Sequence, residues 1–196
     1  MHIDLNLLFS WGAIAKEYKK NEVVFNEDEF ANFYFQIIEG TVKMINLNDE
    51  GKEFTQGYFS EGQSFGEPPL LINENYPSAA IAIHDSKIIK LSKDKFLKIL
   101  DEYPSIQRNL LNLMAKRIHS KAVTTKAIIN QKPEYRINAF LKAHKSDLNN
   151  DTKQLVYFTR QEIANFTGLR VETVIRELSK MSKLNTVKII NHKIYY

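Results

Sequence analysis

Cysteine is absent from all 196 residues. That absence excludes disulfides, thiol nucleophiles, thiolate metal sites and cysteine-ligated iron–sulfur clusters together, and it fits a cytoplasmic setting. No apolar run approaches the roughly 18 residues needed to cross a bilayer, and the opening MHIDLNLLFSWGAIAKEY has no basic leader before its apolar stretch. Neither export nor membrane insertion is expected. Histidine is scarce and scattered, at His2, His84, His119, His144 and His192, whereas a cupin-like metal-dependent enzyme needs clustered ligands such as two histidines and a carboxylate. No Ser/His/Asp spacing stands out either, so no catalytic residue and no metal ligand is assigned. The cupin-like enzyme and a basic protein-interaction module remain as alternatives to the reading below.

Glycine is also rare, and five of the seven (Gly40, Gly51, Gly57, Gly62, Gly66) fall between residues 40 and 66. They punctuate short runs rich in β-branched and aromatic residues: VVF (23–25), FYFQII (33–38), TVKMINL (41–47), FTQGYF (54–59), AAIAIH (79–84) and SKIIKL (86–91). Turn signals every 8–12 residues between short strands predict an all-β roll or barrel, with Glu39-Gly40 and Asp85-Ser86 as tight hairpin corners. The period changes after Leu91. Ser92 is placed to cap a short helix with Phe96, Ile99 and Leu100 on one apolar face. Pro104 suits the first turn of a long helix reaching about Gln131.

Charge divides the chain as sharply as pattern does. Residues 1–103 carry 10 Lys+Arg against 17 Asp+Glu, and residues 104–196 carry 17 against 6. An acidic front and a basic rear predict a sensor or scaffold followed by a part that meets a polyanion. In the long helix Leu111, Met114, Ile118, Lys121, Thr125 and Ile128 recur at alternating steps of three and four, the spacing of a coiled-coil seam. Ile106, Leu110 and Leu113 form a second stripe facing the roll. An ordinary buried helix face has the same periodicity, but a helix spanning roughly 40 Å whose later half turns polar suits pairing with its own copy. A homodimer is expected, with Leu111, Met114, Ile118, Thr125 and Ile128 at its seam.

Residues 159–182 read TRQEIANFTGLRVETVIRELSKMS. Thr159 and Glu162 have capping-box spacing, which fixes a helix start. Ala164 permits close helix approach, and Gly168 supplies the left-handed turn between crossed helices. Val171, Val174, Ile175 and Leu178 are read as the inward side of a second helix, leaving Arg170, Glu172, Thr173, Arg176 and Lys180 outside. This is a helix-turn-helix shaped for a major groove. The following TVKIINHKIYY reads as two strands around an Asn191-His192 turn, a wing that sets Lys188 and Lys193 near a phosphate backbone.

On these motifs the chain resembles the Crp/Fnr family of bacterial transcription regulators. The resemblance rests on TRQEIA, Gly168 and ETVIREL at the rear, and on Glu39-Gly40, GQSFGE and Ser78-Ala79 in front. It implies an α+β fold with a β-roll of the cyclic-nucleotide-binding, jelly-roll type at 1–103, a dimerisation helix at 104–132 and a winged helix-turn-helix at 133–196. It also implies a homodimer on a roughly palindromic duplex, with RNA polymerase as a further partner. Phosphate contacts fall to Thr159, Arg160, Gln161 and Thr173, and base readout to Glu172 and Arg176, with guanine for the arginine and cytosine for the glutamate. Val171 stands where many members have a second base-reading arginine, so a different operator is expected. Arg170 stands where a serine cap is common.

The front motif departs further. In members that bind cyclic AMP, a glutamate meets the ribose and an Arg-Ser-Ala triplet meets the phosphate. This chain keeps Gly66, Glu67, Ser78 and Ala79 but has Pro77 in the arginine position. Proline brings neither charge nor an N–H, and Pro68-Pro69 removes two more donors. Where those members reach adenine with Thr-Ser, the chain has Lys121 and Ala122, with Thr124 and Thr125 one turn on. Cyclic AMP is not expected to bind, although Lys121 or Thr125 could line a residual pocket. No cofactor is assigned; His119 is read as a solvated or interface residue rather than a haem ligand.

Overall fold

The computed structural model describes the chain except Met1, residues 130–131 and 146–152, and the side chains of Thr124, Ala127, Ile128 and Ile129. Two compact units are present, Met1–Lys116 and Arg117–Tyr196. The sequence-based boundaries set the long helix apart as a segment of its own; the division between the units falls inside that helix.

The first unit comprises α1 (Leu5–Ser10), β1 (Ile14–Tyr18), β2 (Val23–Phe25), β3 (Phe33–Glu39), β4 (Thr41–Leu47), β5 (Glu53–Ser60), β6 (Ser64–Phe65), α2 (Glu67–Ile72), β7 (Ala79–Ala82), β8 (Ser86–Ser92) and α3 (Lys93–Glu102), and it takes in the start of α4 (Pro104–Ile129). Its strands make two antiparallel sheets, ordered β1-β8-β3-β6 and β2-β7-β4-β5. Consecutive strands β3 and β4 lie in different sheets, as do β7 and β8. Glu39-Gly40 and Asp85-Ser86 are therefore crossings between sheets and not hairpin corners. The two crossings press together. Gly40 has φ +95°, a Cβ there would lie 2.7 Å from the Ser86 Cα, and the Thr41 N–H donates to Ser86 Oγ at 3.2 Å. Only glycine combines that backbone angle with that approach.

Strand β3 reads as a continuous apolar run because both its faces are covered. Tyr34 stacks on Phe96 of α3 with ring centroids 4.4 Å apart, while Phe35 meets Phe25 and Phe65 at 5.6 and 5.5 Å. Phe96, Ile99 and Leu100 are buried as expected, though the Ser92 hydroxyl, at the N-cap, makes no capping bond. Gln36 interrupts the apolar run yet is fully buried, because the Ile3 N–H donates to its Oε1 at 2.8 Å and its Nε2 donates back to the Ile3 carbonyl at 2.9 Å. A buried amide is tolerated when both its ends are paired.

Along α4, Leu110 is buried in the roll's core and Ile106 packs beside it. Met114, assigned by spacing to the dimer seam, packs partly buried against this core. Leu111 and Ile118 are each 69% exposed, while Lys121 and Thr125 lie exposed further along. The side chain of Ile128 lies outside the described residues.

The second unit adds α5 (Pro133–Ala143), β9 (Leu155–Val156), α6 (Arg160–Thr167), α7 (Val171–Lys183), β10 (Lys188–Ile190) and β11 (Lys193–Tyr195). Ile137, Phe140, Leu141, Ile163, Ala164, Val174, Leu178, Met181, Val187 and Ile194 close its core. The sheet order is β10-β11-β9; β9, two residues long, carries too little pattern to be read from sequence.

Candidate nucleic-acid interface

Helix α6 starts where its cap dictates. The Glu162 N–H donates to Thr159 Oγ1 at 3.2 Å, and the Thr159 N–H donates to Glu162 Oε2 at 2.7 Å, closing both halves of the capping box. Ala164 is 1% exposed, as close helix packing requires. Gly168 ends the helix with φ +67° and turns the chain into α7.

On α7 the residues 174, 178 and 181 return to one side every three or four positions, and Val174, Leu178 and Met181 are buried there. Glu172, Arg176 and Lys180 are exposed, Arg170 is exposed at the N-cap without a side-chain capping bond, and Thr173 is partly exposed. Ile175, expected on the inward side, is 48% exposed. It lies 100° around the helix from Val174, which carries it off the buried side. A helical wheel centred on Val174 and Leu178 would have found it.

Sequence reading also passed over Glu177. Its side chain is nearly buried, and its Oε1 accepts from Lys180 Nζ at 2.9 Å and lies 3.6 Å from Arg176 Nε. One acid on the inward side thus holds two of the outward cations.

The wing forms as expected, with Asn191 and His192 both at positive φ in the turn between β10 and β11. Lys188 and Lys193 are exposed at its two strands. Arg160 donates from Nη1 to the His192 carbonyl at 3.1 Å, tying the start of α6 to the wing turn. Gln161 donates to Asn165 Oδ1 at 2.9 Å. The bond from Arg160 thus brings the α6 start to the wing turn, and α7 exposes its polar side in the same unit. Behind them, His144 packs against Phe140, Phe158 and Phe166 at centroid distances of 4.3, 4.9 and 5.1 Å. Partial burial among these rings lowers its pKa, more than its bond to the Phe140 carbonyl raises it.

In the roll, Gly66 and Glu67 stand at the start of α2, while Ser78 is buried and Ala79, opening β7, is partly so. Glu67 is fully buried and accepts a hydrogen bond from Ser64 Oγ. Gly66 adopts φ +77°, and a Cβ on it would meet Tyr76 and Phe25 at 3.1 and 3.2 Å. Those two rings stack at 3.6 Å. Burial, helped by the charges of Glu29 and Glu67, raises the Tyr76 pKa. Pro68 and Pro69 occupy the second and third positions of α2, so two of the N–H groups that a helix start offers an anion are missing. Lys121 and Thr125 belong to the other compact unit. Among the described residues no helix is long and apolar enough to cross a membrane.

This architecture defines a β-roll followed by a winged helix-turn-helix, a class that meets DNA through the second helix of the motif. The family model of the cyclic nucleotide-binding domain matches residues 15–103, and that of the Crp-like helix-turn-helix domain matches residues 135–195. The Anaerobic regulatory protein of Haemophilus influenzae is 24% identical over 178 residues, covering 89% of this chain and 69% of that protein. The Cyclic AMP receptor protein of Thermus thermophilus is 22% identical over 173 residues, covering 88% and 78%. Among solved structures, CLP of Xanthomonas campestris, described as a c-di-GMP responsive global regulator, has a TM-score of 0.79 over 97% of this chain and 96% of that one, at 18% identity. The chain belongs to the Crp/Fnr family, and it is a DNA-binding transcription regulator and not an enzyme.

Proposed function

We propose that the protein works as a homodimer in the cytoplasm, reading a roughly palindromic operator through two copies of α7 and meeting RNA polymerase at the promoters it controls. The observation that carries this reading is the exposed side of α7 with Glu172 and Arg176, in a unit whose wing also exposes Lys188 and Lys193. An arginine donates two bonds to guanine and a glutamate accepts one from cytosine. Thr159, Arg160, Gln161, Arg170, Thr173 and Lys180 supply phosphate contacts that set register. The exposed Leu111 and Ile118 of α4, with Thr125 and Ile128 further along, support pairing of two copies. Two half-sites about one helical turn apart follow from that symmetry.

The effector is not cyclic AMP. A phosphate in a partly dry roll needs a cation or several N–H donors, and Pro77, Pro68 and Pro69 provide neither. The buried pairing of Glu67 with Ser64 and the rings against Gly66 support the same reading. Selection of bound sequences from random DNA, followed by fluorescence titration, tests the function. Arg176→Ala should weaken the selected duplex about tenfold to a hundredfold per half-site while sparing random DNA. Selection that enriches no sequence would refute the reading.

A further inference from the structure

On the roll, the ends of β1 and β3 and the start of β8 line a cleft of about 210 Å3. Lys87 of β8 stands opposite Glu17 of β1 on one side and opposite Glu39 of β3 on the other. Residues paired in this way share one face of a sheet, so one ammonium lies between two carboxylates whose strands are about 10 Å apart, two strand spacings. All three side chains are exposed, and among the described residues none of them makes an ion pair or a side-chain hydrogen bond. They line the cleft instead. Its rim is preformed: the Lys20 N–H donates to Asp85 Oδ1 at 2.9 Å and Lys19 Nζ donates to Asp85 Oδ2 at 3.0 Å, which engages both oxygens of that carboxylate. Tyr18 and Ser86, which also line it, are buried, and Ser86 Oγ is held between the Thr41 N–H and the His84 carbonyl.

We propose that this cleft binds a free basic α-amino acid, its carboxylate on Lys87 and its two cationic groups on Glu17 and Glu39. With Asp85 and Lys19 engaged with one another, the uncommitted charges of the cleft are two acids and one base, in the order acid, base, acid. A lysine-like ligand carries the complementary set, two ammonium groups and one carboxylate. Size agrees, because pockets for drug-sized ligands hold roughly 300–1,000 Å3, and a cleft of about 210 Å3 admits only a small metabolite. A divalent metal ion is disfavoured because a cation close to both carboxylates would also meet the Lys87 ammonium. A phosphate-bearing ligand is disfavoured because acids outnumber bases here. The cleft lies in the first unit, so this binding is independent of how α7 meets DNA.

Calorimetric titration of the full chain with L-lysine at fixed ionic strength tests the site, beside three analogues that each lack one charged group. Norleucine lacks the side-chain ammonium, ε-aminocaproate the α-ammonium and cadaverine the carboxylate. Melts followed by Trp11 fluorescence confirm that the roll of each variant is folded. Ion pairs at an open site are weak, so lysine should bind saturably with Kd in the millimolar range, and each analogue should bind about fivefold more weakly or worse. Added salt should weaken lysine binding. Lys87→Gln should bind lysine and cadaverine alike, because the carboxylate has lost its partner. Glu17→Gln and Glu39→Gln should each lose the preference for lysine over one of the two singly cationic analogues. Lys52→Gln, an exposed charge in the β4–β5 connection, should match wild type.

If wild type gives no saturable heat with lysine, or if Lys87→Gln separates lysine from cadaverine as well as wild type does, the cleft is not an amino-acid site. If cadaverine binds wild type as tightly as lysine, the carboxylate is not read and the ligand class is wrong.

Discussion

Replacing Thr159 by alanine tests how α6, the first helix of the helix-turn-helix, is held. The substitution removes the Oγ1 acceptor that takes the Glu162 N–H at 3.2 Å, and it leaves the reciprocal bond, from the Thr159 N–H to Glu162 Oε2 at 2.7 Å, without its counterpart. Loss of an N-cap side chain costs about 1 kcal/mol, within a range of roughly 0.5–2. The unit concerned spans Arg117–Tyr196. For a domain of about 80 residues, 1 kcal/mol lowers Tm by roughly 4–8 °C. The single tryptophan, Trp11, lies in the other unit, so its fluorescence follows the roll, while circular dichroism follows both. The helical signal of Thr159→Ala should therefore melt roughly 4–8 °C early with the Trp11 transition unmoved, and Thr159→Ser should restore the wild-type value. Below the transition, salt dependence of DNA binding should keep its slope, because no cation has been removed. An unchanged melt, or a serine variant as weak as the alanine one, would show that the capping box does not hold α6.

Other perturbations separate the remaining elements. Gly40→Ala should destabilise the roll by about 2 kcal/mol or more, since a Cβ both disfavours φ +95° and overlaps the Ser86 backbone; denaturant unfolding followed by Trp11 fluorescence reads it. His144 gives the second unit a pH dependence of known sign. Its folded pKa is lowered by burial, so its stabilisation is complete above the unfolded value of about 6.5 and is lost as pH falls through the folded pKa. Thermal melts from pH 7.5 to 4.5 should show that loss flattened in His144→Gln. Calorimetric titration with cyclic AMP should give no saturable heat at millimolar nucleotide, and a stoichiometric isotherm would overturn the account of the roll.

Local rules were enough for much of this molecule. The capping box of Thr159 and Glu162, the left-handed Gly168, the Asn191-His192 turn and the strands from Val23 to Leu91 are each set by residues within a few positions of one another. Such features depend on backbone sterics and short hydrogen bonds, which the chain carries wherever it folds. Long-range pairing decided the rest. Nothing within a few residues of Gly40 says whether the chain turns back in its own sheet or crosses to the other, because that depends on β8 lying beside β3 and β7 beside β4. Gln36 looks like a flaw in a strand until the Ile3 backbone arrives, 33 residues away, to satisfy it. The partial burial of Met114 and the burial of Glu177 escape a sequence reading for the same reason. Whether a helical side chain is buried depends on what packs against that flank of the helix, and only the assembled fold supplies the neighbour.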